Sequence, residues 1–85
     1  MKVYKYALWL YDRQAVRMPA GSVILSVQMQ FGTPVMWALV DPREGEVDRP
    51  IYIVGTGHEM PEYAGRHLGT VQMRDFVWHV FEGTE

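Results

Sequence analysis

The sequence predicts an all-β domain spanning residues 1–85: a small antiparallel barrel or sandwich of about seven short strands that forms a homo-oligomer. Two observations lead to the strands. Apolar residues recur with a period of two along most of the chain, and turn-forming residues separate these segments at short intervals. A third observation, the absence of any helix-like periodicity longer than two turns, excludes a helical core.

The first two strands follow from the N-terminal residues. Lys2–Leu10 alternates in part and predicts the first strand, and Asp12-Arg13 predicts a turn. Gln14–Met18 is a short second strand, which Pro19-Ala20-Gly21 ends. These two segments therefore lie on either side of a short connection.

The next two segments differ in how their apolar residues are distributed. Val35–Val40 is apolar on both faces, which is typical of a central strand or of a strand at a subunit interface. Ser22–Gln30 shows the clearest alternation in the chain. It predicts one apolar face that consists of Val23, Leu25, Val27 and Met29.

The middle of the chain contains one predicted strand between two connections. Arg43–Arg49 is rich in charge and predicts an exposed loop. Ile51–Val54 is the fifth strand. Glu59–Gly65 predicts either one helical turn or an ordered loop.

The last two strands predict a hairpin. They cover His67–Met73 and Phe76–Glu82, and Arg74-Asp75 forms a tight turn between them. Gly69 interrupts the first of these strands, which indicates a β-bulge or a close backbone approach.

Composition limits the classes of partner. An 85-residue chain without Cys has no disulfide to add stability, and 48% hydrophobic residues favour self-association to cover apolar surface. The net charge of −2 gives no basic stripe for nucleic acid, and no apolar run approaches membrane-spanning length. We expect a cytoplasmic protein that binds neither nucleic acid nor membranes.

The stretch Gly55-Thr56-Gly57-His58 is the strongest candidate for a ligand site. Its two glycines allow a tight turn whose N–H groups, together with the Thr56 hydroxyl and the His58 imidazole, suit a phosphate. Arg66 and Arg74 are candidates for a phosphate clamp. A plain strand-end turn is the alternative interpretation. Aromatic residues that suit stacking on a base are Trp37, Tyr52, Tyr63 and Trp78.

The sequence gives little support for metal binding or for catalysis. The histidines His58, His67 and His79 lack a compact ligand spacing, and no Cys is present, so we expect no metal and no other cofactor. The serines Ser22 and Ser26 lie in a strand pattern rather than in a nucleophile elbow. We therefore expect a protein that is not an enzyme.

Several strings, taken in order, resemble a family of small proteins of unknown function encoded by tailed phages and bacterial genomes. They are Leu25–Gln28, Trp37–Pro42, Gly55–His58, Gly69–Gln72 and Phe76–Phe81. The family has no established activity, so no catalytic residue can be transferred. The resemblance implies a phage or prophage accessory protein that acts in the host cytoplasm, where such proteins often counter host defence.

Together these observations predict a non-catalytic protein that sequesters a small anionic, nucleotide-derived ligand such as a host immune signal. The alternative is a protein-interaction module that inhibits a host protein through a face rich in aromatic residues and Met.

Overall fold

The computed structural model describes residues 1–85 and confirms the all-β prediction. It contains seven strands and no helix. The structure therefore has no helix that could cross a membrane. The strands are β1 Lys2–Ala7, β2 Arg13–Pro19, β3 Val23–Gln30, β4 Thr33–Val40, β5 Glu46–Gly55, β6 Ala64–Met73 and β7 Phe76–Gly83.

The strands form two antiparallel sheets that pack as a sandwich. One sheet has the order β1-β4-β3 and the other the order β2-β5-β7-β6. β4 is the central strand of its sheet, as its apolar residues predict, and it directs Met36, Ala38 and Val40 into the core. Burial of each such large side chain contributes roughly 1.5–3 kcal/mol.

Gly69 marks a place where the two sheets come close together. The register of β6 shifts between His67 and Gly69, which confirms the predicted bulge. A Cβ atom at Gly69 would lie 3.1 Å from Val27 Cβ and 3.3 Å from Val27 O, so the predicted close approach is also present. Since glycine has no Cβ, β6 can rest directly on β3.

The predicted apolar face of β3 is wrong in its first half. A bulge between Ile24 and Ser26 shifts the register, and the extra residue reverses the direction of the side chains beyond it. Ile24 and Val27 are buried, whereas Val23 and Leu25 are exposed. The inward-facing side chains therefore switch from even-numbered to odd-numbered positions within one strand. A prediction that assumes strict alternation misses this switch.

The charged loop predicted over Arg43–Arg49 is wrong from Glu46 onward. β5 begins at Glu46, because Glu46 pairs with Pro19 and Asp48 with Arg17 along β2. The backbone ladder extends the strand despite its charge. By contrast, Glu59–Tyr63 contains no helical turn, so the ordered-loop alternative is the one found.

Polar interactions close the end of the sandwich opposite to the Gly55 turn. Arg49 reaches in from β5, where its Nε donates to Glu82 Oε2 at 2.7 Å and its Nη1 to Ser22 O at 2.8 Å. Just after β4, hydrogen bonds from Arg43 hold the pKa of the Asp41 carboxyl below its ordinary value. Partnered charges thus replace apolar packing at this end.

Candidate functional site

The Gly-Thr-Gly-His stretch forms a tight turn at the end of β5. Gly57 has a φ of 87°, which favours glycine. His58 folds back onto Gly55, where a Cβ atom would lie 3.1 Å from the imidazole and 3.2 Å from the Trp78 ring. The backbone at Gly57 therefore favours glycine, and a Cβ atom at Gly55 would make the His58 and Trp78 side chains shift by a few tenths of an ångström.

Most polar groups of this turn already have partners. The N–H of Thr56 donates to Val77 O at 3.3 Å, and the N–H of His58 donates to Gly55 O at 3.0 Å. The Thr56 hydroxyl lies 2.8 Å from His79 Nε2. Because these groups are occupied, the turn offers few free donors for the phosphate that the sequence assigns to it.

A cleft of about 370 Å³ lies between this turn and the start of β7. Thr56 and His58 line one side, and Asp75 and Phe76 line the other. Phe76 is 61% exposed, and its inner face stacks on Trp78 with 5.8 Å between ring centroids. The register explains this proximity, since Gly55 pairs with Trp78 across β5 and β7.

The indole N–H of Trp78 has no hydrogen-bond partner although the atom is buried. A buried donor without an acceptor costs about 1–3 kcal/mol. Such groups are uncommon in folded proteins. Trp78 also lines the cleft, so the residue that carries the unpaired donor borders the candidate site.

Arg74 lies on the far side of Phe76. It occupies the two-residue turn between β6 and β7 with a φ of 56°, which is unusual for a residue other than glycine. Its guanidinium makes no ion pair or hydrogen bond. Arg74 and Phe76 line a second cleft of about 620 Å³. Phe76 therefore separates two adjoining clefts.

The predicted phosphate clamp does not assemble. Arg66 lies near the start of β6 and Arg74 beyond its end, about 25 Å apart at the usual rise of about 3.3 Å per residue. Neither arginine lines the cleft beside Thr56. The two guanidinium groups cannot grip one phosphate.

Three of the four aromatic residues predicted to stack lie away from this cleft. Trp37 belongs to β4 in the other sheet. Tyr52 is buried, and its hydroxyl donates to Glu85 O at 2.7 Å. Tyr63 lies at the opposite end, where its carbonyl accepts from Thr84 N at 2.8 Å. The aromatic pair of the cleft is Phe76 with Trp78, of which the sequence analysis identified only Trp78.

A polar row crosses the outer face of the four-stranded sheet. His67 Nε2 lies 2.9 Å from Thr70 Oγ1, which lies 3.1 Å from His79 Nδ1. The other nitrogen of His79 contacts Thr56, so four side chains form one continuous chain. The alternation of β6 and β7 places these residues on one face, but only the strand register shows that they meet. No three His, Asp or Glu side chains converge in a way that could hold a metal ion.

The fold and the cleft define a small two-sheet β-sandwich with an aromatic-lined surface site. The chain belongs to the family described as "Domain of unknown function (DUF7352)", whose model matches residues 1–85. A family of unknown function was expected from the sequence; its link to phages stays a prediction. Comparisons with curated proteins and with solved structures found no match.

Proposed function

We propose that this protein is a non-catalytic binding protein for a small anionic, nucleotide-derived ligand whose base stacks on Phe76. One observation carries the proposal: an exposed aromatic ring stands between a cleft lined by hydrogen-bonding groups and an arginine without a partner. A base needs an aromatic surface and hydrogen-bonding groups at its edge, and a phosphate needs a cation, so these three features suit a nucleotide.

The base is assigned to the cleft beside Thr56. One face of Phe76 packs on Trp78, which leaves the other face for a ligand. Stacking of a base on an aromatic side chain contributes about 1–3 kcal/mol. Asp75 and His58 line the same cleft and offer an acceptor and an imidazole to the base edge. Its volume of about 370 Å³ is within the range of small-molecule sites.

The phosphate is assigned to Arg74 rather than to the glycine turn. Asp75 carries a negative charge into the Thr56 cleft and would repel a phosphate there. The unpaired Arg74 lies on the other side of Phe76 and can form charge-assisted hydrogen bonds with phosphate oxygens. Repulsion by Asp75 and attraction by Arg74 therefore orient the ligand, with its base in the Thr56 cleft and its phosphate on the other side of Phe76.

The resemblance to phage-encoded proteins narrows the ligand class. A nucleotide-derived host immune signal in the cytoplasm would be the target, and sequestration requires affinity but no chemical step. Both serines of the chain lie outside this cleft, which agrees with a role that does not depend on a serine nucleophile.

The test is a thermal-shift panel with ADP-ribose, cyclic mononucleotides, cyclic dinucleotides and ordinary nucleotides. A ligand at about 100 times its Kd stabilises the folded state by about 2.7 kcal/mol. For a domain of this size that is a shift of roughly 10–20 °C. We expect one class of compounds to produce such a shift.

Variants then locate the site. Phe76→Ala should weaken affinity by about tenfold to a hundredfold. Arg74→Gln should weaken it by at least about tenfold. Arg66→Gln is the matched control, because it removes the same charge from the other end of β6 and should leave affinity unchanged. Unperturbed affinity in Phe76→Ala would overturn the proposal.

A flat response to all compounds would favour the alternative function, inhibition of a host protein. One observation supports that alternative. Exposed aromatic side chains surround the Gly55 end of the sandwich, including Trp9 stacked on Tyr11 and the almost fully exposed Phe31. Such residues commonly anchor protein interfaces.

A further inference from the structure

We propose that a second copy of this chain packs, sheet on sheet, against the outer face of the three-stranded sheet. We call this surface the open face. It consists of the outward residues of β1, β4 and β3, and its apolar part is formed by Val3, Val23, Leu25, Trp37 and Leu39.

The first argument comes from β4, which is apolar on both sides. Its inward residues already fill the core. Val35, Trp37 and Leu39 point the other way and lie outside that cluster. A strand that is apolar on both sides is typically buried on both sides. The fold of one chain buries Val35 but covers Trp37 and Leu39 only in part.

The register gathers apolar residues of all three strands into one patch. Val3 pairs with Leu39, and Leu39 pairs with Val23, so these residues form a row across the sheet. Trp37 lies two residues along β4 from Leu39, and the β3 bulge adds Leu25 beside it. Val3, Val23 and Leu25 are each between 50 and 56% exposed. The chain therefore leaves these three residues half exposed around the partly buried Trp37 and Leu39.

No other segment of the chain covers this patch. The connections that leave the three-stranded sheet are residues 8–12, 20–22 and 41–45, and each leads to the four-stranded sheet. Contiguous apolar surface of this kind marks an interaction site. We therefore assign the cover of this patch to a partner outside the chain.

Charge favours a second copy as the occupant. Among the outward residues of this sheet, the charged side chain is Lys5, and its Nζ donates to Gln30 Oε1 at 2.7 Å across β4. Lys5 pairs with Trp37 and therefore borders the patch, but its ammonium is directed to Gln30 rather than to the Val3–Leu39–Val23 row. Two copies related by a twofold axis can place their apolar parts together and keep both lysines at the flanks.

Face-to-face packing is favoured over pairing at the edge. β1 is an edge strand and carries Lys2 and Lys5, and lysines on an edge oppose the addition of another strand. Two sheets that meet face to face bury the side chains that project from them. The apolar groups of the open face project in this direction.

The area of the open face determines how strong the dimer is expected to be. β4 has eight residues, so the face measures about 27 Å by 14 Å, or about 390 Å² per copy. The chain exposes 5516 Å², whereas a folded monomer of 9.8 kDa exposes about 5,200 Å². The excess is comparable to one open face. A pair would bury less than the roughly 1,200 Å² of a stable interface, which predicts a reversible dimer that depends on concentration.

Sedimentation velocity across a hundredfold range of concentration, from low to high micromolar, tests this inference. We expect the wild-type protein to shift from monomer to dimer. Leu25→Glu should remain monomeric, because it places a charge in the patch without altering the core. Ala15→Glu, at an exposed position on the outer face of the other sheet, is the control and should dimerise like the wild type. A wild-type monomer at every concentration, or an undiminished dimer of Leu25→Glu, would overturn the proposal.

Because the chain contains no Cys, single cysteines allow a second measurement. Val23→Cys lies on the open face, and Gln72→Cys is exposed on the other sheet. A short bismaleimide should cross-link Val23→Cys into a covalent dimer and leave Gln72→Cys monomeric. Equal cross-linking of the two variants would contradict the assigned face. Neither experiment depends on Phe76. A negative result would therefore contradict the proposed dimer without contradicting the proposed ligand site.

Discussion

The outer faces of the two sheets are built by the same alternation, yet they differ in what covers them. On the four-stranded sheet, Val54 lies beside residues of the connection from β5 to β6, and the Tyr52 hydroxyl donates to Glu85 O near the C-terminus; the two side chains are only 6 and 7% exposed. On the open face, apolar side chains of comparable size remain half exposed. The comparison teaches that outward apolar residues of a small sandwich require a cover, which either the chain itself or a partner supplies.

The largest expected difference between the two faces concerns Tyr52. Tyr52→Ala should lower the free energy of unfolding by about 3–5 kcal/mol, because a buried ring is lost. The hydrogen bond to Glu85 O is lost as well. Leu25→Ala on the open face should change the free energy of unfolding of the monomer by less than about 0.5 kcal/mol. Urea denaturation at low micromolar concentration measures both, and equal losses would contradict the comparison.

Two valine-to-threonine substitutions, one on each face, test the same comparison while keeping the side-chain volume nearly constant. Val54→Thr buries a hydroxyl and should destabilise the fold by about 1–3 kcal/mol. Val23→Thr has nearly the same shape at an exposed position and should stay within about 0.5 kcal/mol. Thermal or urea unfolding of the dilute proteins is sufficient. A similar cost at both positions would mean that the open face is already covered in the monomer.

The smallest effect is expected for the polar row of the four-stranded sheet. Thr70→Val removes the hydroxyl that lies between His67 and His79 and should cost about 0.5–1 kcal/mol. The cost stays small because Thr70 is exposed and water can replace the lost partner. Thr33→Val, also exposed on a strand and without a side-chain hydrogen bond, is the control. Identical stabilities of the two variants would show that the row contributes nothing.

Local patterns predicted most of the secondary structure. The number of strands, the tight turn at Arg74-Asp75, the central position of β4 and the close approach at Gly69 were all readable from the chain. The failures have local causes that an alternation pattern does not contain. The bulge at Ile24 adds one residue to a strand, and the pairing of Glu46 with Pro19 extends another.

The candidate site was predictable only in part. The Gly55–His58 turn lines the cleft, but its N–H groups and the Thr56 hydroxyl are taken up by Val77, Gly55 and His79. No sequence pattern identified Phe76 as a site residue, since an aromatic residue after a tight turn is ordinary in a hairpin. It became a candidate because β7 brings it beside the end of β5.

The sequence by itself determined the class of fold, the strands and the turns, because alternation, glycine and proline act through the backbone over a few residues. Only the tertiary structure decided which strands pair and in which register. That pairing placed Arg66 far from Arg74, put Trp37 in the other sheet, and joined His67, Thr70 and His79 in one row. Contacts between residues distant along the chain depend on how whole strands pack, and no short pattern of residues encodes that choice.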